Sequence, residues 1–495
     1  INGQYEFASA TFNPIERYRP VEFDRNWNLS GQTKAANENL AALSLNLQRL
    51  TEGNLQYVFS FYNRNGDYRG LNNALNGTYQ YKGFRVGLLS SYLLSTTDSI
   101  TTAFLRPALD VSQSFKFLKG AVLGVNVELE NNRLTNIAAD TLTSGSFNWQ
   151  QGKVYFRSSD TATIRYNIDY GSRIDYSAAD NRFVKTTIGN TLNAGVELLR
   201  NPNSILRTNV TYRTLSISDT LYTEQQPDES LLGRLGYDWQ IKKGFIVSNT
   251  LYELGSVQEQ KKEFAYTPVP DGTGVYTWND YNGDNVQQIN EFEIAVFQSD
   301  ANYIKLLLPT NQYVKAYSTL FNESLSINPR NLWKSPQGIQ EVITRFSGQA
   351  TLQISKKTIG GDFGSRFNPF LLSVEDSLLL SNSSLVSGFL YFNRSNPHYG
   401  IDFSYQNNRS KLLLTNGFES RDLRDYGIRW RWNITRKFSS IVKVNQNQKG
   451  YFAEYFPDNN YIIIGYFITP QLTYQPSGVF RATFSYSYGD SRNSI

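Results

Sequence analysis

The residues best placed to do chemistry fall in one short stretch, Asp280-Tyr281-Asn282-Gly283-Asp284-Asn285-Val286-Gln287-Gln288-Ile289-Asn290-Glu291. Oxygen-bearing side chains stand at positions 1, 3, 5 and 9 (Asp280, Asn282, Asp284, Gln288), a glutamate at 12 (Glu291), and a backbone carbonyl is available at 7 (Val286). This is the spacing of a calcium loop, in which one segment wraps a hard cation in six to eight oxygens. Position six, normally glycine, is Asn285, and asparagine tolerates the left-handed backbone that the sharp turn requires. Position eight is Gln287 rather than an apolar residue, so a paired EF-hand is not expected. A solvated Asn-Gly turn would account for the same residues without a metal. The expectation is a Ca2+ ion that stiffens a long loop and catalyses nothing.

Other chemistry is thinly supported. The single histidine, His398, sits in Asn396-Pro397-His398-Tyr399. A general base near neutrality would have to be built on it, and a Pro-containing turn suits an exposed histidine better. The absence of cysteine removes thiol catalysis, disulfides and Cys-based zinc sites. No glycine-rich loop joins a strand to a helix as phosphate binding requires. The formal charge of +5 is spread among acids rather than striped, so no nucleic-acid partner is expected. The expectation is a protein that is not an enzyme, with no catalytic and no organic-cofactor residues.

The elements that must position such a loop are written in an alternating pattern. Ile164, Tyr166, Ile168, Tyr170, Ile174 and Tyr176 face Arg165, Asn167, Asp169, Arg173 and Asp175. Strands point successive side chains to opposite faces, so one face is greasy and the other charged. Similar runs occur at Leu55–Phe61, Leu123–Glu130, Ile205–Ser218, Ile401–Gln406, Tyr426–Ile434 and Phe480–Tyr488. The polar face is too charged, and the strands too many and too long, for a soluble sandwich. With 33 Tyr and 31 Phe, the aromatic content matches girdles at two lipid–water interfaces. The expected fold class is all-β: a large antiparallel transmembrane β-barrel of about 20 or more strands. Such a barrel cannot fill its interior with side chains. Polar-face charges (Glu128, Glu130, Arg165, Asp169, Arg173, Asp175, Arg207, Arg213, Arg429, Arg431) would line a conduit or pair across the wall.

Residues 1–30, dense in charge, are expected to lead in from a preceding periplasmic region. Residues 31–495 are expected to form the barrel, with 259–300 a long loop insertion carrying the calcium-type loop. Gly338 to Phe346 suggests a short helix. The start, Ile1-Asn2-Gly3-Gln4, is not a signal peptide, and the end, Gly489 to Ile495, reads as a turn. A processed or partial chain with closing strands beyond Ile495 is expected. Short turns such as Lys119-Gly120 alternate with longer loops at 96–102, 131–146, 177–184, 219–230 and 451–460, which predicts turns on the periplasmic side and loops on the cell surface.

Three blocks carry a family resemblance: Ile15-Glu16-Arg17-Tyr18-Arg19-Pro20-Val21-Glu22-Phe23-Asp24-Arg25, Tyr276-Thr277-Trp278-Asn279-Asp280-Tyr281-Asn282-Gly283-Asp284 with Asn290-Glu291-Phe292-Glu293, and Leu308-Pro309-Thr310-Asn311-Gln312-Tyr313-Val314-Lys315. They resemble a family of large, mostly uncharacterised outer-membrane β-barrel proteins of Bacteroidota. In style the chain is also similar to the gliding and secretion translocon barrel of that phylum, without a residue-by-residue match. The resemblance implies a periplasmic portion before the barrel and further strands after it. Asp-Ser/Thr followed by a small or aliphatic residue resembles the O-glycosylation acceptor of the phylum, which makes Ser99, Thr141, Thr161, Thr220 and Ser377 candidate glycan sites.

The leading expectation is a bacterial outer-membrane conduit, or a component of a protein export or assembly complex, in contact with bilayer, lipopolysaccharide and other outer-membrane or periplasmic proteins. One alternative is a plugged structural or adhesive scaffold that binds partners through its loops. Another is an outer-membrane barrel hydrolase built around His398.

Overall fold

The computed structural model describes residues 1–12, 19–29, 36–49, 52–179, 181–288, 291–371, 373, 375–414, 417–454 and 457–495. Strand accounts for 68% of residues, so the chain is all-β. Twenty-five strands lie among the described residues, against the twenty or more expected. The first twelve are β1 (Asn2–Ala8), β2 (Glu38–Arg49), β3 (Gly53–Arg64), β4 (Tyr68–Tyr81), β5 (Phe84–Thr97), β6 (Ile100–Phe115), β7 (Ala121–Asn136), β8 (Thr141–Leu142), β9 (Phe147–Arg157), β10 (Ile164–Ala179), β11 (Arg182–Asn201) and β12 (Ser204–Ile217). Then follow β13 (Asp228–Ile241), β14 (Ile246–Pro268), β15 (Tyr276–Trp278), β16 (Phe292–Ile294), β17 (Tyr303–Ile327), β18 (Phe346–Thr358), β19 (Leu379–Phe392), β20 (Tyr399–Leu414), β21 (Gly417–Asn433), β22 (Phe438–Ala453), β23 (Tyr461–Tyr474), β24 (Ala482–Ser485) and β25 (Tyr488–Asn493). No described helix is long and apolar enough to cross a membrane. The chain divides into two compact units, Ile1–Arg200 with Asn209–Leu231, and Asn201–Thr208 with Leu232–Ile495.

Within the first unit the strands form an antiparallel meander in which β1 through β7 pair in sequence, β9 pairs with β7, and β10 and β11 follow. Register makes the alternation visible across strands. Tyr79, Val86, Val111, Val125, Val154, Tyr170 and Leu192 form one continuous apolar row over seven strands. One residue along, Thr78, Gly87, Asp110, Asn126, Lys153, Gly171 and Thr191 form a polar row on the opposite face. β-Branched and aromatic side chains favour this pleated surface and pair across strands. Short connections such as 82–83 and 116–120 depend on left-handed residues, with φ of +45° at Lys82, +87° at Gly83, +55° at Lys119 and +83° at Gly120. Longer connections, 9–37 and 137–146, lie at the other end.

Among the described residues the polar face of this unit carries an apolar island. Helix α1 (Val21–Asn26) lies on it, with Phe23 and Trp27 buried against Tyr62, Tyr68, Leu93 and Phe104. Phe23 meets Tyr62 edge-on at 5.3 Å, and the Tyr68 hydroxyl donates to the Trp27 carbonyl at 2.5 Å. Polar contacts surround this cluster: Arg25 pairs with Glu130, and Arg106 Nη1 donates to Asn26 Oδ1 at 2.9 Å. A buried aromatic is worth about 1.5–3 kcal/mol, so two of them outweigh these half-exposed polar contacts as the cause of docking. The lead-in segment expected over 1–30 thus comprises a strand hydrogen-bonded to β2 and a helix on the polar face. Residues 13–18 and 30, including Ile15–Tyr18 of the Ile15–Arg25 block, lie outside the described residues.

In the second unit the order is β13, β14, β17, β18, β19, β20, β21, β22, β23, with β24 and β25 both on β23. Leu390, Phe403, Ile428, Val444, Ile468 and Tyr488 form an apolar row of exposed side chains on six strands. The adjacent row on the opposite face is Tyr391, Asp402, Arg429, Lys443 and Thr469. Helix α2 (Ile339–Ile343) occupies the segment that suggested a short helix. The tail Gly489–Ile495, expected to be a turn, is strand through Asn493. Its side chains are polar on both faces, so the ladder with β23 rather than any pattern defines it.

A strap over 359–378 folds back on β17 and β18 in this unit. It contains helix α3 (Phe363–Phe367), capped by Asp362, whose side chain accepts from the Ser365 N–H at 2.9 Å. Hydrogen bonds from Ser365 hold the exposed Asp362 carboxyl below the ordinary aspartate range. Lys356 is buried beneath the strap and donates to the carbonyls of Asn368 (2.7 Å) and Leu371 (3.1 Å). Hydrogen bonds from a charged donor are worth about 1.5–3 kcal/mol. Lys356→Met is therefore expected to speed proteolysis between 359 and 378 by roughly tenfold or more while the strand wall stays resistant. Unchanged cleavage would mean that the other anchors, Phe367 on Tyr317, Phe370 on Phe321 and the Thr319 hydroxyl on the Arg366 carbonyl, hold the strap without Lys356.

Candidate metal centre

The calcium-type loop is carried by the two longest strands, β14 of 23 residues and β17 of 25. They pair from Ile246↔Ile327 to Pro268↔Tyr303, and residues 269–302 connect them. Inside that connection β15 and β16 form a miniature hairpin, and Tyr276 also pairs with Tyr303 of β17. Aromatic rings fasten the hairpin to the strand ends. Tyr266 stacks on Phe292 at 3.9 Å, Tyr276 meets Tyr266 at 5.2 Å, and Phe292 meets Tyr303 at 5.0 Å. The base closes where Asn279 N–H donates to the Glu291 carbonyl at 2.9 Å.

This anchorage puts Asp280, Asp284 and Glu291 together, each offering a carboxylate oxygen within 4.8 Å of the others. Two ligands at about 2.4 Å on opposite sides of a Ca2+ ion stand about 4.8 Å apart, so the cluster has the span such an ion needs. Glu291 is 1% exposed, and its Oε2 accepts from Trp278 Nε1 (2.9 Å) and the Gln288 N–H (3.1 Å). Asp280 accepts from the N–H groups of Gly283 and Asn285 at 2.8 and 2.9 Å. Asp284 accepts from the Val286 N–H, from Asn282 Nδ2 and from Gln288 Nε2. Asn285 has φ +58°, the left-handed turn expected of position six.

Of the six residues singled out by spacing, Asp280, Asp284 and Glu291 therefore converge, and Asn282 and Gln288 reach the cluster through Asp284. Val286 joins through its N–H rather than the carbonyl expected to serve. Ile289 and Asn290 lie outside the described residues. Trp278 was not visible as a site residue. Its signal is position: it precedes the loop by two residues and pairs in register with Phe292, next to Glu291. The arrangement can bind a hard cation through oxygen.

The remaining candidates are separate from this loop. His398 is exposed in the 393–398 connection, and its backbone N–H donates to Asn396 Oδ1 at 2.8 Å. Many polar-face charges pair within the wall: Lys153 with Asp169 at 3.2 Å, Arg165 with Glu197 at 3.6 Å, Arg173 with Asp175 at 2.7 Å and Arg207 with Asp238 at 3.4 Å. Ser99, Thr141, Thr161, Thr220 and Ser377 are all exposed.

No protein-family model matches the sequence. No curated protein matches it either. Among solved structures, the siderophore receptor PirA from Pseudomonas aeruginosa aligns at 8% identity over 92% of this chain and 77% of its own, with a TM-score of 0.33. The alcaligin outer-membrane receptor FauA from Bordetella pertussis aligns at 9% identity over 92% and 73%, with a TM-score of 0.35. The copper transporter OprC aligns at 7% identity over 89% and 71%, with a TM-score of 0.34. Scores of this size leave the wall's own chemistry to carry the functional reading.

Proposed function

We propose that the chain is an integral β-barrel of the bacterial outer membrane whose polar face lines a conduit. The observation that carries this reading is the Leu390–Phe403–Ile428–Val444–Ile468–Tyr488 row, apolar and exposed on consecutive strands. An apolar patch beyond a few hundred Å2 on a soluble protein marks an interface; this row runs over six strands, and the first unit has its own over seven, each backed by a polar face. Alternation of this kind suits hydrocarbon on one side and water on the other. Strands β20, β21 and β22, of 16, 17 and 16 residues, exceed the roughly 9–11 that a tilted strand needs to cross. Trp430, Trp432, Tyr399, Phe438 and Tyr474 cluster near one end of these strands, as an interfacial girdle does. Single-channel recording in planar bilayers tests the reading: steady conductance is expected, and a silent, correctly inserted protein would refute it.

Within this reading the partners are the bilayer and lipopolysaccharide, with other outer-membrane or periplasmic proteins at the rims. Service in a protein export or assembly complex is its finer form, tested by co-purification from native membranes. A second reading, the plugged scaffold, draws on helix α1 docked against the polar face. The exposed acceptors Ser99, Thr141 and Thr220 share the long-connection end of the first unit, where surface glycans would project.

The loop 280–291 holds Ca2+ in this proposal, with Asp280, Asn282, Asp284, Gln288 and Glu291 as side-chain ligands and Val286 as the carbonyl donor. The support is a buried Glu291 facing two further carboxylates. Calcium is expected to protect 279–300 from protease, and terbium to luminesce through Trp278. Glu291→Gln should lower the affinity by at least tenfold without altering the wall; equal protection with EDTA and with calcium would remove the metal from the account.

A further inference from the structure

On the polar face of the second unit, register assembles a group of side chains that no wall function requires. Phe389 and Tyr391 of β19 lie on this face with rings 6.2 Å apart and nearly parallel, at 8°. The Arg394 guanidinium stands over the Tyr391 ring at 4.2 Å. Across the ladder from Tyr391 come Asp402, then Arg429, then Lys443. Neighbouring strands lie about 4.8 Å apart, so these four positions span on the order of 15 Å. Arg431, two residues from Arg429 on the same face, donates to the carbonyls of Asn396 (2.9 Å) and Arg394 (3.2 Å) and keeps its charge. Asp402 accepts from Arg429 Nε at 2.7 Å. Asp425, farther along β21 on the same face and bonded by Asn445 Nδ2 at 3.3 Å, is the second acid, so Arg394, Arg429, Arg431 and Lys443 leave a net excess of two positive charges. Among the described residues Lys443 is exposed and has no ion pair or hydrogen bond.

We infer that this cluster is a binding site for a carboxylate-bearing saccharide, such as a uronate oligomer, on the polar face of the wall. An aromatic ring offers a flat apolar surface to the C–H face of a pyranose. Guanidinium forks bind carboxylates bidentately, and a neighbouring ammonium adds a point charge. Amide and hydroxyl groups of Gln406, Asn445 and Ser404 border the same face and can meet sugar hydroxyls. Charge complementarity excludes neutral sugars as the preferred occupant. Mere wall support would have matched each cation with an acid, as it does in the first unit at Lys153–Asp169 and Arg165–Glu197.

The site rests on the polar face being open to solvent, hence on the conduit reading, and two measurements separate them. In detergent solution, titration calorimetry with a trigalacturonate is expected to show binding that maltotriose does not match within tenfold. Arg394→Ala with Lys443→Ala should weaken trigalacturonate by at least tenfold. Tyr391→Ala should weaken it while leaving the weaker binding of acetate unchanged, which separates the platform from the charge. Raising the salt concentration should weaken the wild type more than the double variant. Equal affinity for the two sugars, no binding, or variants that keep heat-resistant mobility and full affinity would overturn the site. In planar bilayers, trigalacturonate should interrupt the current of the wild type and not of the double variant. Binding in detergent without any conductance would uphold the site and refute the conduit; conductance without binding would do the reverse.

Discussion

Ile428→Arg is expected to lose about 2–4 kcal/mol of stability in a bilayer, the cost of a cation at mid-depth on the lipid side of a barrel strand. Ile428 sits in the middle of the apolar row, between Phe403 and Val444, and is exposed. In hydrocarbon the guanidinium has no water and no carboxylate beside it. Gln406→Arg, on the opposite face and across from Asp425, is expected to change stability by less than about 1 kcal/mol. Urea unfolding in lipid vesicles, followed by the fluorescence of Trp430 and Trp432, measures both. Two equal losses would mean that the faces meet the same medium, and the membrane assignment would fall with that result.

The second large effect is expected at the docked N-terminal helix. Phe23→Ala with Trp27→Ala removes both rings that α1 buries among Tyr62, Tyr68, Leu93 and Phe104. Each large-to-small change at a buried aromatic costs about 3–5 kcal/mol. Polar contacts remain, among them Arg25 with Glu130, Asn26 with Arg106 and the Tyr68 hydroxyl on the backbone carbonyl of residue 27, but they are too weak to hold six helical residues in place. The helix should leave the polar face, protease should cut near it, and single-channel conductance should rise several-fold. Unchanged conductance with confirmed cleavage would show that the helix does not obstruct flow.

Alternation made the wall legible because each strand's pattern is local and two-valued. Ile164 to Tyr176 states both faces without reference to any other strand. The calcium-type spacing was legible for the same reason, since the converging carboxylates come from one short segment. What fastens that segment was not, because Tyr266, Phe292 and Tyr303 lie far apart in sequence and meet only through the β14–β17 register. The α1 docking site was hidden by aromatic residues on both faces of β3: Phe59 and Phe61 belong to one face and Tyr62 to the other. Lys356 shares a face with Leu352 and Ile354, the apolar one, and nothing in its own strand announces the strap 359–378 that covers it. The tail after Tyr488 read as a turn because Gly489, Asp490, Ser491, Arg492 and Asn493 show no apolar partner, and pairing to β23 makes it a strand.

The β14–β17 pairing has a bearing on how the protein assembles. From β18 to β23 each strand can zip onto the one made just before it, but β14 must find β17 across residues 269–302. Closing a connection of that length costs about 2 kcal/mol more entropy than closing a four-residue turn. A mini-hairpin that folds first, with Tyr276 already beside Tyr303, shortens the search to a few rotatable links. On the proposal that this loop holds Ca2+, calcium concentration would then set the pace of wall completion as well as the rigidity of its rim.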